Sequence, residues 1–139
     1  MTEVEAEPIL LPELTPDNVH FWQGGEHGHL VLFRCDDCGL WIHPSAPICR
    51  GCLSRNVGPQ PTSGRGVIAS FTINHQPWIP GVKVPYVVAI VELNDQVGLR
   101  MMTNIVGCEP SAVRIGLPVH VVFKHHEDVW LPYFELDAA

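Results

Sequence analysis

Four cysteines constrain this chain more than any other feature of its sequence. Cys35 and Cys38 form one Cys-x-x-Cys pair, and Cys49 and Cys52 form a second pair after ten intervening residues. Each pair places two thiolates on one side of a tight turn, and two facing turns offer four sulfurs at about 2.3 Å from a tetrahedral Zn²⁺. The spacing therefore predicts one structural zinc ion. Because four thiolates close its coordination shell, we expect no catalytic role for this metal.

Two other interpretations of the cysteines compete with zinc. A pair of disulfides would suit a secreted protein, but the acidic N-terminus (MTEVEAEP) does not resemble a signal peptide. A dithiol redox motif normally occurs once and beside a βαβ pattern, which this sequence lacks. The fifth cysteine, Cys108, has no partner at a ligand spacing, and we expect it to be an ordinary small apolar residue.

Composition and charge narrow the classes of function. With 139 residues, 46% of them hydrophobic and 17% charged, the chain is expected to fold as one domain or one domain plus a small module. It has no apolar run long enough to span a bilayer, so the cytoplasm is the expected location. The net charge is −7, and the eight Lys and Arg residues are scattered singly. Because binding to nucleic acid requires clustered positive charge, nucleic acid is a poor candidate partner.

Local patterns divide the chain into four segments. Thr15 is the predicted N-cap of a helix whose first position is Pro16. The cysteines lie in the following segment, and the rest is rich in β-branched residues and turn signals. The predicted segments are an acidic flexible lead (1–14), a helix (15–28), a rubredoxin-like zinc ribbon (29–60) and a β-barrel (61–139).

The barrel is predicted from short strands separated by turn residues. The expected strands are 66–74, 86–93, 97–104, 119–124 and 129–134, with a helical crossing at 111–115. Segment 86–93 (YVVAIVEL) is almost uniformly apolar, which predicts a strand covered on both faces. Pro132 cannot donate to a ladder, so the last strand should lie at an edge or end there. Five such strands and one crossing favour an OB-fold, and the chain as a whole is expected to be mainly β.

The order of several motifs carries a family resemblance. A Phe-Trp pair precedes Arg-Cys-Asp-Asp-Cys-Gly (34–39), and after the second cysteine pair comes Ser-Gly-x-Gly-x-Ile-x-Ser-Phe-Thr (63–72). Ile-Gly-Leu-Pro-Val (115–119) and Leu-Pro-x-Phe (131–134) follow. Over roughly residues 14–136 the chain resembles the small zinc-ribbon plus OB-fold proteins that are associated with thiolase-like enzymes.

The resemblance implies a non-catalytic partner subunit rather than an independent enzyme. Such proteins assist thiolase-like enzymes in passing acyl-CoA between active sites. The version that this chain resembles is the small subunit of a lipid-transfer-protein-like aldolase that releases a steroid side chain. A MaoC-like enoyl-CoA hydratase is a possible further partner, and the assembly would be a hetero-oligomer.

Aromatic residues suggest where a partner would bind. Phe21 and Trp22 are adjacent on a short helix and point about 100° apart, so one core stripe cannot easily take both. Trp78 and Ile79 lie between prolines in the long loop 75–85. Exposed aromatic anchors of this kind are favoured at interfaces. In the competing interpretation, Phe21 or Trp22 packs onto the ribbon and Trp78 folds over one end of the barrel.

Candidates for acyl-CoA contact and catalysis are weaker. Arg65, beside two glycines, and Arg100, in the third barrel strand, are the best-placed cations, although an arginine in such a position is more often solvated or structural. His125 and His126 are neighbours on a strand and point to opposite faces, so they form no ready acid–base pair. We therefore predict no catalytic residue. Two alternatives stay open at this point: a nucleic-acid-binding ribbon/OB module and an enzyme in its own right.

Overall fold

The chain enters its fold through a helix shorter than predicted. In this computed structural model, which describes residues 9–138, helix α1 spans Val19–Gln23 and runs into a 3₁₀ turn over Gly24–His27. The prediction of Thr15 as N-cap is wrong, because residues 16–18 form a turn and Asn18 is the capping residue. Asn18 Oδ1 accepts the Thr15 N–H at 2.7 Å and so holds that turn. Most of the predicted acidic lead, residues 1–8, lies outside the described residues.

A three-stranded antiparallel sheet carries the cysteines. Its strands are β1 (Val31–Cys35), β2 (Trp41–Ile42) and β3 (Val57–Pro61), in the order β2-β1-β3. The central strand β1 delivers Cys35 at its end, and β2 begins three residues after Cys38. This is the predicted ribbon, with β3 returning the chain alongside β1.

Five further strands close into a barrel. They are β4 (Arg65–Asn74), β5 (Tyr86–Leu93), β6 (Arg100–Val106), β7 (Pro118–His126) and β8 (Val129–Leu136). Their order is β4-β5-β6-β8-β7, and β7 pairs with β4. This order confirms the predicted OB-fold. The predicted helical crossing is a single 3₁₀ turn at Pro110–Ala112.

Two expectations about individual strands are wrong. Pro132 neither ends β8 nor lies at an edge, because β8 continues to Leu136 between β6 and β7. The proline is tolerated because β6 pairs with β8 only at Ile105–Phe134 and Val106–Glu135, beyond Pro132, so no β6 carbonyl needs its missing N–H. Nor is β5 covered on both faces: every second residue is buried, and the residues between are only half-buried.

The ribbon and the barrel share one hydrophobic core. Leu30, Leu32 and Trp41 belong to the same buried cluster as the barrel interior, where Phe134 and Val119 are fully buried. Arg34 lies over the Trp41 ring, with its guanidinium carbon 4.8 Å from the ring centroid. The two modules are therefore packed as one body.

One glutamine reinforces this packing with paired hydrogen bonds. Gln96, in the turn between β5 and β6, accepts the Trp41 N–H at 2.9 Å and donates to the Trp41 carbonyl at 3.1 Å. The side-chain amide thus forms with Trp41 the pair of hydrogen bonds that a residue of a neighbouring strand would form. It satisfies both backbone groups of a residue whose side chain lies in the shared core.

We expect Gln96→Ala to destabilise the fold by about 1–3 kcal/mol, because it leaves a part-buried N–H and carbonyl of Trp41 without partners. Chemical denaturation of the metal-loaded protein measures this free energy. Gln76→Ala, at an exposed loop position, is the matched control and should change stability little. Equal stability of the two variants would contradict this stabilising role of the Gln96 side chain.

Candidate metal centre and partner surface

The fold brings the four predicted sulfur ligands together. The Sγ atoms of Cys35, Cys38, Cys49 and Cys52 all lie within 4.8 Å of one another. Cys35 Sγ is 3.6 Å from Cys52 Sγ, and Cys38 Sγ is 3.5 Å from Cys49 Sγ. Four sulfurs at about 2.3 Å from a tetrahedral Zn²⁺ have edges of about 3.8 Å, so the observed separations suit such an ion. The cluster is therefore positioned to bind a metal.

Backbone amides in each turn prepare the first cysteine of the pair. The Gly51 N–H donates to Cys49 Sγ at 3.3 Å. The N–H of Cys52, then that of Gly51, lowers the pKa of the Cys49 thiol to about 7 against the opposing effect of burial. The N–H of Cys38 similarly lowers the pKa of Cys35. Because the thiolate is the form that binds a metal, the turns favour the ligating state of Cys35 and Cys49. At Cys38 and Cys52 the backbone N–H of Leu40 and of Ser54 acts in the same direction, but hydrogen bonds among the sulfurs and burial raise the pKa overall.

A carboxylate links the two cysteine turns from outside. Asp37, within the first turn, accepts hydrogen bonds from the Ser54 hydroxyl and from Asn56 Nδ2, the latter at 3.2 Å. The Asp36 N–H also donates to the Asn56 carbonyl at 2.8 Å. These bonds hold the turns in register, but they are largely exposed, and the metal-binding sulfurs must supply most of the constraint.

The predicted aromatic pair on α1 lies partly inside the protein. Phe21 packs against the shared core and stacks on His43, with ring centroids 5.3 Å apart. Trp22 meets Phe21 edge-on at 4.7 Å, and both rings are half-buried. The inward alternative thus describes Phe21 well, and a role of Trp22 at an interface stays a prediction.

The second predicted aromatic site is far more open. Trp78 is 75% exposed, and Ile79 beside it is half-buried. The Trp78 Nε1–H donates to Asn74 Oδ1 at 3.1 Å, which fixes the indole at the end of β4. It does not fold over the barrel end as a buried residue.

The barrel has an apolar outer side on β5 and β6. Val88 and Ile90 of β5 alternate with the buried residues and so point outward, and Ile90 pairs with Met102 of β6, which is 71% exposed. We call these three residues, together with Trp78 at the end of β4, the outer apolar face. Sequence reasoning missed Met102, although the uniform apolarity of segment 86–93 already indicated that both faces of β5 need a cover.

The two arginines predicted for acyl-CoA contact are engaged within the chain. Arg65 forms an ion pair with Asp137 at 3.6 Å, and Arg100 forms one with Glu92 at 3.0 Å. Both side chains are exposed, and their carboxylate partners belong to different segments of the chain. Each carboxylate neutralises part of the charge that a phosphate would need, so acyl-CoA contact by these residues stays a prediction.

Comparison with known proteins divides the chain into the same two modules, with the boundary inside β3. A family model described as "ChsH2, rubredoxin-like zinc ribbon domain" matches residues 22–58. A second, "ChsH2, C-terminal OB-fold domain", matches residues 59–124. A DUF35 domain-containing scaffold protein of Methanocaldococcus jannaschii is 35% identical over 97 residues, which are 68% of this chain and 67% of that protein.

This chain belongs to the DUF35 family.

Two further relatives connect this DUF35 chain with multisubunit enzymes. A solved structure titled "Ltp2-ChsH2(DUF35) aldolase" contains a chain that is 33% identical, with a TM-score of 0.80, over 91% of this chain and 98% of that one. The 3-oxo-4,17-pregnadiene-20-carboxyl-CoA hydratase alpha subunit of Mycobacterium tuberculosis is 33% identical over 97% of this chain. The match covers 42% of that subunit, so this chain spans about two fifths of the relative's length.

The described part of this DUF35 protein, residues 9–138, contains no helix long and apolar enough to cross a membrane.

We expect Cys49→Ser to lose the bound metal and to unfold the ribbon, at a cost of several kcal/mol, because metal binding and folding are coupled in such modules. Elemental analysis and thermal melting measure both effects. Cys108→Ser, outside the cluster, is the matched control and should keep one metal ion per chain. A Cys49→Ser protein that retains its metal and its melting temperature would contradict the assignment.

Acid should weaken the packing of α1 on the ribbon. Burial lowers the pKa of His43, and burial together with His43 lowers the pKa of His20. Both histidines therefore favour folding in their neutral form. The contribution of the two neutral histidines to the free energy of unfolding is fully present above the ordinary pKa of about 6.5. It is lost progressively as the pH falls below that value.

Melting temperatures between pH 7.5 and 5 test this expectation. The wild-type protein should lose stability on acidification more steeply than a His20→Gln/His43→Gln double variant, with metal content checked at each pH. His75→Gln, at an exposed position, serves as the control. Parallel pH profiles for the wild type and the double variant would exclude the two histidines as the cause.

Proposed function

We propose that this chain is the non-catalytic zinc-ribbon/OB subunit of a thiolase-like acyl-CoA enzyme. The preferred enzyme is an aldolase that releases a steroid side chain, and the chain supports its assembly and the passage of its acyl-CoA substrate. The coarser part of this statement rests on relatives that are scaffold proteins or subunits of hydratase and aldolase complexes. The reaction and the substrate are the proposed part.

The observation that carries the proposal is the outer apolar face. The sequence of β5 is apolar on both faces, but the chain itself covers only one of them. Met102 is 71% exposed on this uncovered side, and Trp78, which is bonded to Asn74 at the end of β4, is 75% exposed. Contiguous exposed apolar residues mark interaction sites, and Trp and Met are enriched in the cores of protein interfaces.

The charge of this face favours a protein partner. Strands two and three of an OB-fold and the loop after strand one, which here are β5, β6 and the loop carrying Trp78, are its usual ligand-binding surface, and they bind oligonucleotides and oligosaccharides in other OB-folds. Nucleic acid would need free positive charge beside the aromatic ring. Arg100, which points outward from β6, is instead paired with Glu92.

The relatives indicate which partner class to test. The solved Ltp2-ChsH2(DUF35) aldolase pairs a chain of this kind with Ltp2, and nearly the whole of that chain matches this one. A thiolase-like subunit is therefore the first candidate partner. The hydratase alpha subunit makes a MaoC-like hydratase the second candidate, because this chain aligns with part of it.

The metal serves structure in this proposal, and it is Zn²⁺. Four thiolates leave no ligand position for substrate or water, and their separations suit a tetrahedral ion. The partner would supply the catalytic groups and most of the affinity for CoA, because Arg65 and Arg100 are already paired. The complex would be hetero-oligomeric and cytoplasmic.

Replacing Trp78 tests the interface. We expect Trp78→Ala to weaken association with the thiolase-like subunit about thirtyfold or more, since truncating an aromatic hot spot costs about 2 kcal/mol or more. Its melting temperature should stay nearly unchanged because the side chain is largely exposed. Calorimetric titration and a retro-aldol assay on the reconstituted complex would measure affinity and activity.

Ile115→Ala is the matched control, because Ile115 is 68% exposed but lies outside the outer apolar face. It should leave affinity and activity unchanged. Should Trp78→Ala bind as tightly as the wild type, the interface lies elsewhere. Turnover of an acyl-CoA by this chain alone would overturn the non-catalytic role.

A further inference from the structure

A groove on the barrel is separate from both the metal cluster and the outer apolar face. Its volume is about 660 Å³, within the range of about 300–1,000 Å³ that is common for small-molecule sites. Ile105 and Val106 of β6 and Val122 of β7 form part of its lining. Leu10 and Val82 contribute further apolar lining from outside the barrel.

The groove arises where two barrel strands separate. β6 and β8 are the only parallel neighbours in the barrel, and they pair at just two positions, ending with Val106 and Glu135. Beyond these two pairs, β6 and β8 do not form a continuous ladder on the outer surface of the barrel. The loop before β5 and the segment entering from Ile9 stand on either side and deepen the depression.

Both lysines of the sequence, Lys83 and Lys124, line this groove. They approach from different elements, the loop before β5 and strand β7, in a chain whose net charge is −7. Since the average surface of such a chain is acidic, two ammonium groups at one apolar groove form a local exception.

The lining of the groove also contains polar groups without positive charge. Tyr86 and Tyr133 both line the groove and carry phenolic hydroxyls. The one acidic residue in the lining, Glu135, has its Oε2 3.6 Å from His120 Nε2 and 43% of its side chain exposed. It therefore has a neighbour outside the groove. Asn104 donates its Nδ2–H to the Val87 carbonyl and is held in place at the groove wall.

We propose that this groove binds a hydrocarbon carboxylate, with the carboxylate near Lys124 and the hydrocarbon part along the apolar lining. The chemistry follows from two features of the groove: the Lys124 ammonium attracts an anion, and the apolar walls select a hydrocarbon body. A nucleotide or polyphosphate fits less well, because no arginine and no helix N-terminus faces the groove among the residues described. The site is a property of the chain itself and does not depend on the proposed partner enzyme.

A fluorescent fatty acid tests the site on the full, metal-loaded chain. Dansyl-undecanoic acid and its methyl ester share the hydrocarbon part and differ in charge. We expect saturable binding of the acid, at least about fivefold tighter than the ester, because a partly exposed charge contact contributes about 1 kcal/mol. Decanoate should displace the probe, and added salt should reduce the preference for the acid.

Three variants separate charge, apolar contact and background. Lys124→Gln should abolish the preference for the acid over the ester. Leu10→Asp should weaken binding of both probes; Leu10 is 83% exposed, so the fold should tolerate the change. Arg114→Gln, at an exposed position outside the groove, should have no effect.

Three results would overturn the proposal. They are the absence of saturable binding, equal affinity for acid and ester, and an acid preference that survives Lys124→Gln. Melting curves of each variant establish that a loss of binding reflects the groove and not the fold. The partner experiment with Trp78→Ala has a separate readout, so either idea can fail without the other.

Discussion

The four sulfur atoms are the constraint on which the amino-terminal half of this protein depends. The ribbon's own buried core contains only Cys35, Ile42 and Cys49, so two of its three members are metal-ligand candidates. A core of that size buries too little apolar surface to fix a sheet by itself, and a metal clip can supply the missing free energy. The ribbon's geometry is therefore set by coordination chemistry more than by packing.

The barrel inherits part of this constraint through the shared core. Trp41 lies in β2 of the ribbon, yet its side chain is buried with the barrel interior, and Gln96 of the barrel binds its backbone. Disturbing the ribbon must therefore disturb one side of the barrel. The result is a rigid platform on which the outer apolar face is held at a fixed position relative to the ribbon. This arrangement suits the role that we propose for the chain, which is to orient a partner.

Local patterns were sufficient to predict the modules. The two cysteine pairs determine the ribbon because ligand spacing is a short-range property, and the barrel strands follow from turn residues and β-branched runs. The outward apolarity of β5 was also visible in the sequence, where it suggested burial on both faces. The chain covers one face only, and this difference is what points to a partner.

Contacts between distant segments were beyond sequence reasoning. Arg65 meets Asp137 and Gln96 meets Trp41, and neither pair has a local signature. The prediction that Pro132 would lie at an edge or end its strand was wrong. The proline fits within β8 because β6 does not pair with β8 at that residue, and this pairing is seen only in the closed barrel. The groove around Lys83 and Lys124 likewise assembles residues from both ends of the chain.

The most direct test of the account is the composition of the complex in the native host. Tagged protein would be isolated gently and analysed by native mass spectrometry, with each co-purifying chain identified. The account predicts a stoichiometric complex with a thiolase-like subunit, carrying one Zn²⁺ per copy of this chain. Recovery of the chain by itself, or with nucleic acid, would contradict the role as a partner subunit and leave the fold and the metal cluster as the established features.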